Sequence, residues 1–299
     1  MSKVQKHRVI APLVQGFWRL LDWQWSDQQC LGFLQQCVEH GVRDTDHADI
    51  YGQYECEAAF GRALKLAPHV REDINIITKC GIRPALAKKG LAGKANHYDS
   101  SKAHIIASAQ QSLKHFNTDR LDVLLIHRPD YLMLADEVAE AFTALKQQGD
   151  VLHFGVSNFT PTQFSLLQSR LDFPLLTNQI ECSVYEMKAL DDGTLDQCQQ
   201  LAVNPMIWSP LAGGRLFDMD DEKAQRLSNV LAQVASEIGA SSFDQVAYAW
   251  LHKLPSAPSV VLGTGNIERV KSAIAAQQLT LDQEQWYRIW QASTGHSVP

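Results

Sequence analysis

Eight short runs of aliphatic and β-branched residues recur along the chain, separated by longer stretches in which apolar positions return at helical spacing. The runs are Leu13–Phe17, Val42–Asp46, Ile74–Lys79, Val123–His127, Leu152–Val156, Leu175–Ile180, Met206–Ser209 and Ser259–Leu262. They are nearly solidly apolar, as strands covered on both faces should be. The intervening stretches carry helix signals. Ser26 stands three residues before Gln29 as a capping box, Leu31, Leu34, Cys37 and Val38 form one face, and Gly41 closes the helix. Thr160, Pro161 and Gln163 open another, with Phe164, Leu167 and Leu171 following at helical spacing. Asp99 or Ser100 is expected to open a helix that buries Ile105, Ile106, Ala109, Leu113 and Phe116. Val230, Val234 and Ile238 mark a later helix, and Phe243–Leu254 another. Strand and helix alternate strictly, which predicts a parallel sheet with helical crossovers. Eight such units in this length fit an α/β fold of the (β/α)8 TIM barrel type, with a doubly wound sheet as the rival. No fixed repeat, low-complexity tract or linker interrupts the pattern, so residues 1–299 read as a single barrel domain.

Composition narrows the class. Of 299 residues, 45% are hydrophobic and 20% charged, which suits a large buried core and excludes whole-chain disorder. The net charge of −6 argues against nucleic acid or an anionic membrane as the main partner. The six cysteines form no CxxC pair and are too sparse for a disulfide scaffold, so reduced core or surface thiols of a cytoplasmic protein are expected. No apolar run reaches the roughly 18 residues of a membrane span. The opening MSKVQKHRVIAPLVQ is too polar for a secretory leader.

In a parallel barrel, reactive groups gather where the strands end. Taken in order, the strand ends supply Asp46 and, five residues on, Tyr51; then Lys79, His127, Ser157 with Asn158, Asn178 with Gln179, Trp208 with Ser209, and the segment GTGNIERV. Any one of these reads as a polar stop signal, but together they make a chemically useful set. Lys79 is the most informative. An ammonium that ends a buried strand needs an anion, which Asp46 can provide. A cation beside a phenol favours phenolate, so the pair is expected to lower the pKa of Tyr51 and make it a general acid. His127 either orients a carbonyl oxygen or joins the proton relay.

These segments carry a resemblance. DTDHADIYGQYECEAAFGRAL, IITKCGI, SLKHFNTDRLDVLLIHRPD, HFGVSNFT, TNQIE and WSPLAGGRLF resemble the aldo-keto reductases in order and spacing, from about Gly16 to near Trp290. Within that family the chain looks like the bacterial oxidoreductase branch. The resemblance implies a (β/α)8 barrel, a nicotinamide cofactor and reduction of an aldehyde or ketone. It places the catalytic four on Asp46, Tyr51, Lys79 and His127, with Tyr51 as proton donor. It places the carboxamide-binding set on Ser157, Asn158 and Gln179, and the stacking aromatic on Trp208. The following Ser209, Pro210, Leu211, Ala212 and Gly213 would wrap the pyrophosphate, with Arg215 as a cation. Gly263, Thr264 and Gly265 form a phosphate turn, and Arg269 matches the arginine of the adenosine phosphate. A lysine and a serine common in the family give way to Gly263 and Thr264. Ser272 and Ala273 stand where many members have a Glu-Asn pair. The cofactor expected is NADP(H), with NAD(H) left open.

Phe17, Trp18, Trp23 and Trp25 follow the first strand as candidates for an aromatic wall, and Phe17 and Trp18 are counted with the cofactor-binding residues. Arg19 and Arg128 are candidates for holding an anionic substrate group. The acidic segment from Phe217 to Asp221 is a candidate lid. Two rival functions use the same residues. A metal-dependent hydrolase would draw on Asp44, Asp46, His47, Asp49, His127 and His153, although no HxH spacing occurs. A cofactor-sensing protein with little turnover would use the same scaffold. The expected partner is a small carbonyl compound, with no metal, and the oligomeric state is left open between monomer and small homo-oligomer.

Overall fold

The computed structural model describes residues 9–86 and 93–299. Eight parallel strands close into a barrel: β1 (Leu13–Gly16), β2 (Asp44–Asp46), β3 (Asn75–Cys80), β6 (Leu121–Ile126), β7 (Val151–Ser157), β8 (Asn178–Glu181), β9 (Met206–Trp208) and β10 (Ser259–Leu262). Their order around the barrel is β1-β10-β9-β8-β7-β6-β3-β2, and the pairing of Leu13 with Val260 joins the last strand to the first. The doubly wound alternative is thereby set aside, since an open sheet has two unpaired edges. Every predicted run carries a barrel strand, with ends shifted by a few residues. The largest shift is at the sixth, where the strand begins only at Asn178, although Leu176 and Thr177 already bond to β7 through the Phe154 carbonyl (2.7 Å) and the Val156 amide (3.0 Å).

The helices α1 (Asp27–Glu39), α2 (Cys56–Leu66), α3 (Lys102–Phe116), α4 (Ala135–Gln148) and α5 (Pro161–Gln168) follow the first five barrel strands. The capping boxes at Ser26 and Thr160 are formed as expected. The cap of α3 is Ser101, not Asp99 or Ser100. Asp99 Oδ1 instead accepts from the Ser101 amide and hydroxyl, so the two residues share the work of starting the helix. Beyond β8 the strict alternation breaks. Two helices, α6 (Lys188–Asp191) and α7 (Thr194–Leu201), precede β9. After β9 come α8 (Glu222–Ile238) and α9 (Phe243–His252), and α10 (Ile267–Ala276) follows β10. The last helix, α11 (Gln283–Thr294), packs on α8. A small hairpin of β4 (Ile82–Arg83) and β5 (His97–Tyr98) sits between β3 and α3; its two-residue strands are too short to register as hydrophobic runs.

Alternation along each strand sorts side chains into two cores. Val14, Ile77, Val123, Leu125, Met206 and Val261 fill the barrel interior. Leu13, Ile76, Leu124, Ile126 and Phe154 face the helices. Lys79 lies two residues beyond Ile77, so the same parity sends it into the barrel, where it is fully buried. All six cysteines are buried and unpaired. Among the described residues no helix is long and apolar enough to cross a membrane. Residues 1–8 of the opening segment read above lie outside those described.

Candidate active site

The strands point their C-terminal ends at one cleft of about 1010 Å3. Behind its lining, fully buried, is Lys79. Its Nζ donates to Asp46 Oδ1 (2.8 Å) and Oδ2 (2.7 Å), to the carbonyl of His47 (2.7 Å) and to the hydroxyl of Tyr51 (3.2 Å). Asp46 ends β2, and Tyr51 follows on the short loop beyond it, so one strand delivers both the anion and the phenol. Gln179 adds another donor, with Nε2 2.6 Å from Asp46 Oδ1. Burial pulls the Lys79 ammonium down, but the Asp46 and Tyr51 oxygens more than offset it, and the group stands above its ordinary value.

Tyr51 does not titrate as the sequence reading expected. Burial raises its pKa, Lys79 lowers it, Asp46 raises it again, and the net result lies above the ordinary phenol value of 10.0. The cation is present as foreseen, but desolvation outweighs it and Asp46 shields it. A neutral phenol still suits proton donation. An ammonium only donates hydrogen bonds, so Lys79 occupies a lone pair of the Tyr51 oxygen and leaves its proton unspent. Among the described residues no acceptor takes that proton. The His127 ring packs edge-on to Tyr51 with centroids 5.8 Å apart. Burial, then the charges of Lys79 and Arg128, hold its pKa well below 6.5, so it is a neutral hydrogen-bonding ring.

The next strands supply a polar wall. Ser157 Oγ donates to the Gln179 carbonyl (2.9 Å), Asn158 Nδ2 to Ser157 Oγ (2.8 Å), and Trp208 Nε1 to Asn158 Oδ1 (3.0 Å). Asn158 (φ 60°) and Ser209 (φ 51°) are in the left-handed region, which costs side-chain-bearing residues free energy and recurs at functional sites. Trp18, Asp46, Tyr51 and His127 line the cleft, as do Ser157, Asn158, Gln179 and Trp208. Ser209, Pro210, Leu211 and Gly213 continue the lining, as do Gly263, Thr264 and Arg269.

Four of the residues expected to bind cofactor are not in the lining. Phe17 is fully buried behind it, stacked on the His47 ring at 5.1 Å and set edge-on to Phe60 at 4.8 Å. It shares the parity of Leu13, so strand alternation sends it outward to the helix-facing core and not into the barrel mouth. Ala212 is buried in its turn. Arg215 turns away to Glu181 (3.8 Å) and lies over the Tyr185 ring (4.6 Å). Gly265 serves packing: a Cβ there would come within 2.9 Å of both Trp23 and Trp25. Those two indoles pack at a tilt to each other, and both pack at steep angles on Phe33, so they anchor the loop after β1 and form no part of the aromatic wall. His47, considered as a metal ligand, is enclosed by Phe17, Phe60 and Phe116. Among the described residues no three His, Cys, Asp or Glu side chains gather as a metal site.

The cleft also includes residues that the sequence reading passed over. Ile50 and Ile82 flank the Tyr51 end. Ser242, Asp244 and Tyr248 bring the N-terminal part of α9 to the cleft beside that of α10. A serine ahead of the predicted Phe243 helix was the available signal. Phe217 lines the cleft and packs on Phe243 (5.3 Å), and the end of its segment is fastened where Tyr185 donates to Asp221 (2.7 Å).

Known proteins resemble this chain over nearly its whole length. Oxidoreductase YdhF of Escherichia coli is 54% identical over 96% of this chain and 94% of its own. A 6-dehydroglucose reductase of Agrobacterium fabrum is 39% identical over 97% of this chain and 96% of its own. Among solved structures, an aldo/keto reductase from Klebsiella pneumoniae, crystallised with NADP and acetate, superposes with a TM-score of 0.76 at 23% identity, covering 97% of this chain and 93% of that one. The profile of the Aldo/keto reductase family matches residues 12–294, and the chain belongs to that family.

Proposed function

We propose that the protein reduces an aldehyde or ketone to the alcohol, with Tyr51 as proton donor. The observation that carries this reading is the unspent proton of Tyr51. Its oxygen is held by Lys79 at 3.2 Å while the hydroxyl faces the cleft. When the proton leaves for a carbonyl oxygen, the phenolate forms beside a buried ammonium, which stabilises the charge where it develops. Asp46 fixes that ammonium, and Gln179 fixes Asp46. His127, being neutral, gives the carbonyl oxygen a hydrogen bond and leaves the proton transfer to Tyr51.

A nicotinamide dinucleotide, NADP(H) in the first place, supplies the hydride when bound. The chain's residues fit such a group. Gly214 (φ 103°) and Gly263 present bare backbone, with no heavy atom within 4 Å of where a side chain would begin. The α10 N-terminus opens beside them with its cap Asn266, and Arg269 lines the same end. Ser157, Asn158 and Gln179 would hold the carboxamide, Trp208 the ring face, and Arg269 a ribose phosphate.

The test is Tyr51→Phe. Removing a general acid is expected to lower kcat by about 10²–10⁴-fold. Affinity for NADPH, read by quenching of protein fluorescence, should stay near that of the parent. Full turnover in the variant would overturn the assignment.

A further inference from the structure

Two guanidinium groups at the catalytic end of the cleft form no ion pair among the described residues, although the charge of Arg128 also reaches Glu181. Arg128 follows His127 in the chain, lines the cleft, and lies over the Trp208 ring with its central carbon 5.7 Å from the centroid. Its charge reaches both Tyr51 and His127. Arg19 stands three residues past β1, the strand beside β2, and lies over Trp18 at 5.3 Å on the exposed rim. The carboxylates nearby are already engaged. Asp46 is neutralised by Lys79 and Glu181 is paired with Arg215.

The opposite end of the cleft has a different balance. Asp244 and Arg269 both act on Tyr248 there, and Glu268 pairs with Lys271 at 2.8 Å. Two cations without an ion pair among the described residues thus stand at the reacting end of a protein whose net charge is −6, and Arg269, at the other end, is the one assigned to the cofactor phosphate. A guanidinium held on an aromatic face keeps its edge donors for a planar anion.

Resting on the reductase reading, we infer that the substrate is an anionic carbonyl compound whose carboxylate or phosphate, a few bonds from the carbonyl carbon, binds Arg128 with Arg19 at the rim. The carbonyl reaches Tyr51 and His127 while the anion docks on the same wall. Electrostatic attraction at the mouth raises capture of such a substrate and weakens as salt screens it.

The test uses two pairs of aldehydes with NADPH: succinic semialdehyde against butanal, and glyceraldehyde 3-phosphate against glyceraldehyde. In at least one pair the charged aldehyde should have a kcat/KM about tenfold or more above its neutral partner, the size of one partly screened charge contact. That ratio should shrink as salt rises. The pair that shows it identifies the anion. Arg128→Met keeps an unbranched chain on Trp208 and should bring the ratio towards one through KM; Arg128→Lys, which keeps the charge, should retain part of it. Ratios near one in both pairs would overturn the inference while leaving the reductase reading intact. So would a preference that survives Arg19→Met and Arg128→Met together. No turnover of any of the four aldehydes would overturn both.

Discussion

Strand β3 has a buried ion pair near each end, and the two behave differently. Before its start, Arg71 pairs with Asp122 at 2.8 Å, with both side chains about one-tenth exposed. Arg71 also donates to Thr118 Oγ1 (2.8 Å), the Ile74 carbonyl (2.9 Å) and the Arg120 carbonyl (2.9 Å). Asp122 accepts in turn from the Ile76 amide (2.8 Å). Every bond in this network ends on another part of the fold. Near the other end of the strand, Lys79 and Asp46 are as deeply buried, but their network runs through Tyr51 to a proton that nothing among the described residues takes up. Buried charge alone thus says little about function. What separates the two is an unused donor facing the cleft. The positions agree with the general division of such barrels, where the N-terminal face of the strands serves stability and the C-terminal face serves chemistry.

Substitution can break this comparison, and the largest effect is expected at Lys79. Lys79→Met should destroy carbonyl reduction and also destabilise the protein by about 3–5 kcal/mol, because the Asp46 carboxylate is left buried without its cation. Steady-state rates and urea denaturation read the two effects separately. Normal turnover would show that the two pairs do not differ in kind.

Arg71→Met should cost a similar 3–5 kcal/mol or so for the same reason, since Asp122 loses its partner. Here kcat and KM per folded molecule should be unchanged. A fall in kcat at a temperature where the variant is fully folded would bring the lower network into the catalytic machinery.

A smaller effect, visible against pH, is expected at His47. Both of its ring nitrogens are buried without a hydrogen-bond partner among the described residues, and burial, then the Lys79 charge, hold its pKa well below 6.5. His127 is shifted in the same direction. Below pH 6.5 the unfolded chain binds protons at both rings that the folded chain refuses, so stability is full above that pH and is lost as pH falls towards the folded values. Each ring contributes a slope of up to about 1.4 kcal/mol per pH unit. His47→Leu should remove one ring's share of that slope and, by deleting two unsatisfied polar atoms, stabilise the protein at pH 7 by roughly 1–3 kcal/mol. An unchanged slope in urea titrations between pH 5 and pH 7 would show that His47 finds a partner in solution.

Much of this was legible in the chain. The eight apolar runs located the barrel strands because covering a strand on both faces leaves it little choice of residue type. Capping at Ser26 and Thr160 was legible because a box of that kind involves only residues three apart. Asp46, Tyr51, Lys79 and His127 could be grouped because a parallel barrel brings all strand ends to one face. The errors fall mainly where local pattern ends. Arg215 follows a strand end, and neighbours distant in sequence drew its guanidinium to Glu181 and Tyr185; Phe17 was misassigned against the pattern, since the parity it shares with Leu13 sends the ring to His47 and Phe60. Gly265 looked like part of a phosphate turn because the glycine is local, while the two indoles it makes room for lie some 240 residues earlier.

The sequence by itself determined the strand and helix order and the chemical inventory at the strand ends, since both depend on residue type and short-range spacing. The tertiary structure alone decided three things. It closed β1 on β10, which places the glycines of the last loop beside the first strand. It set the balance at Tyr51, where desolvation outweighs the nearby cation, a quantity that depends on everything packed around the ring. It also decided which cations keep their charge for a ligand. Arg215 forms an ion pair with Glu181, whereas Arg128 forms none among the described residues, and no spacing along the chain distinguishes them.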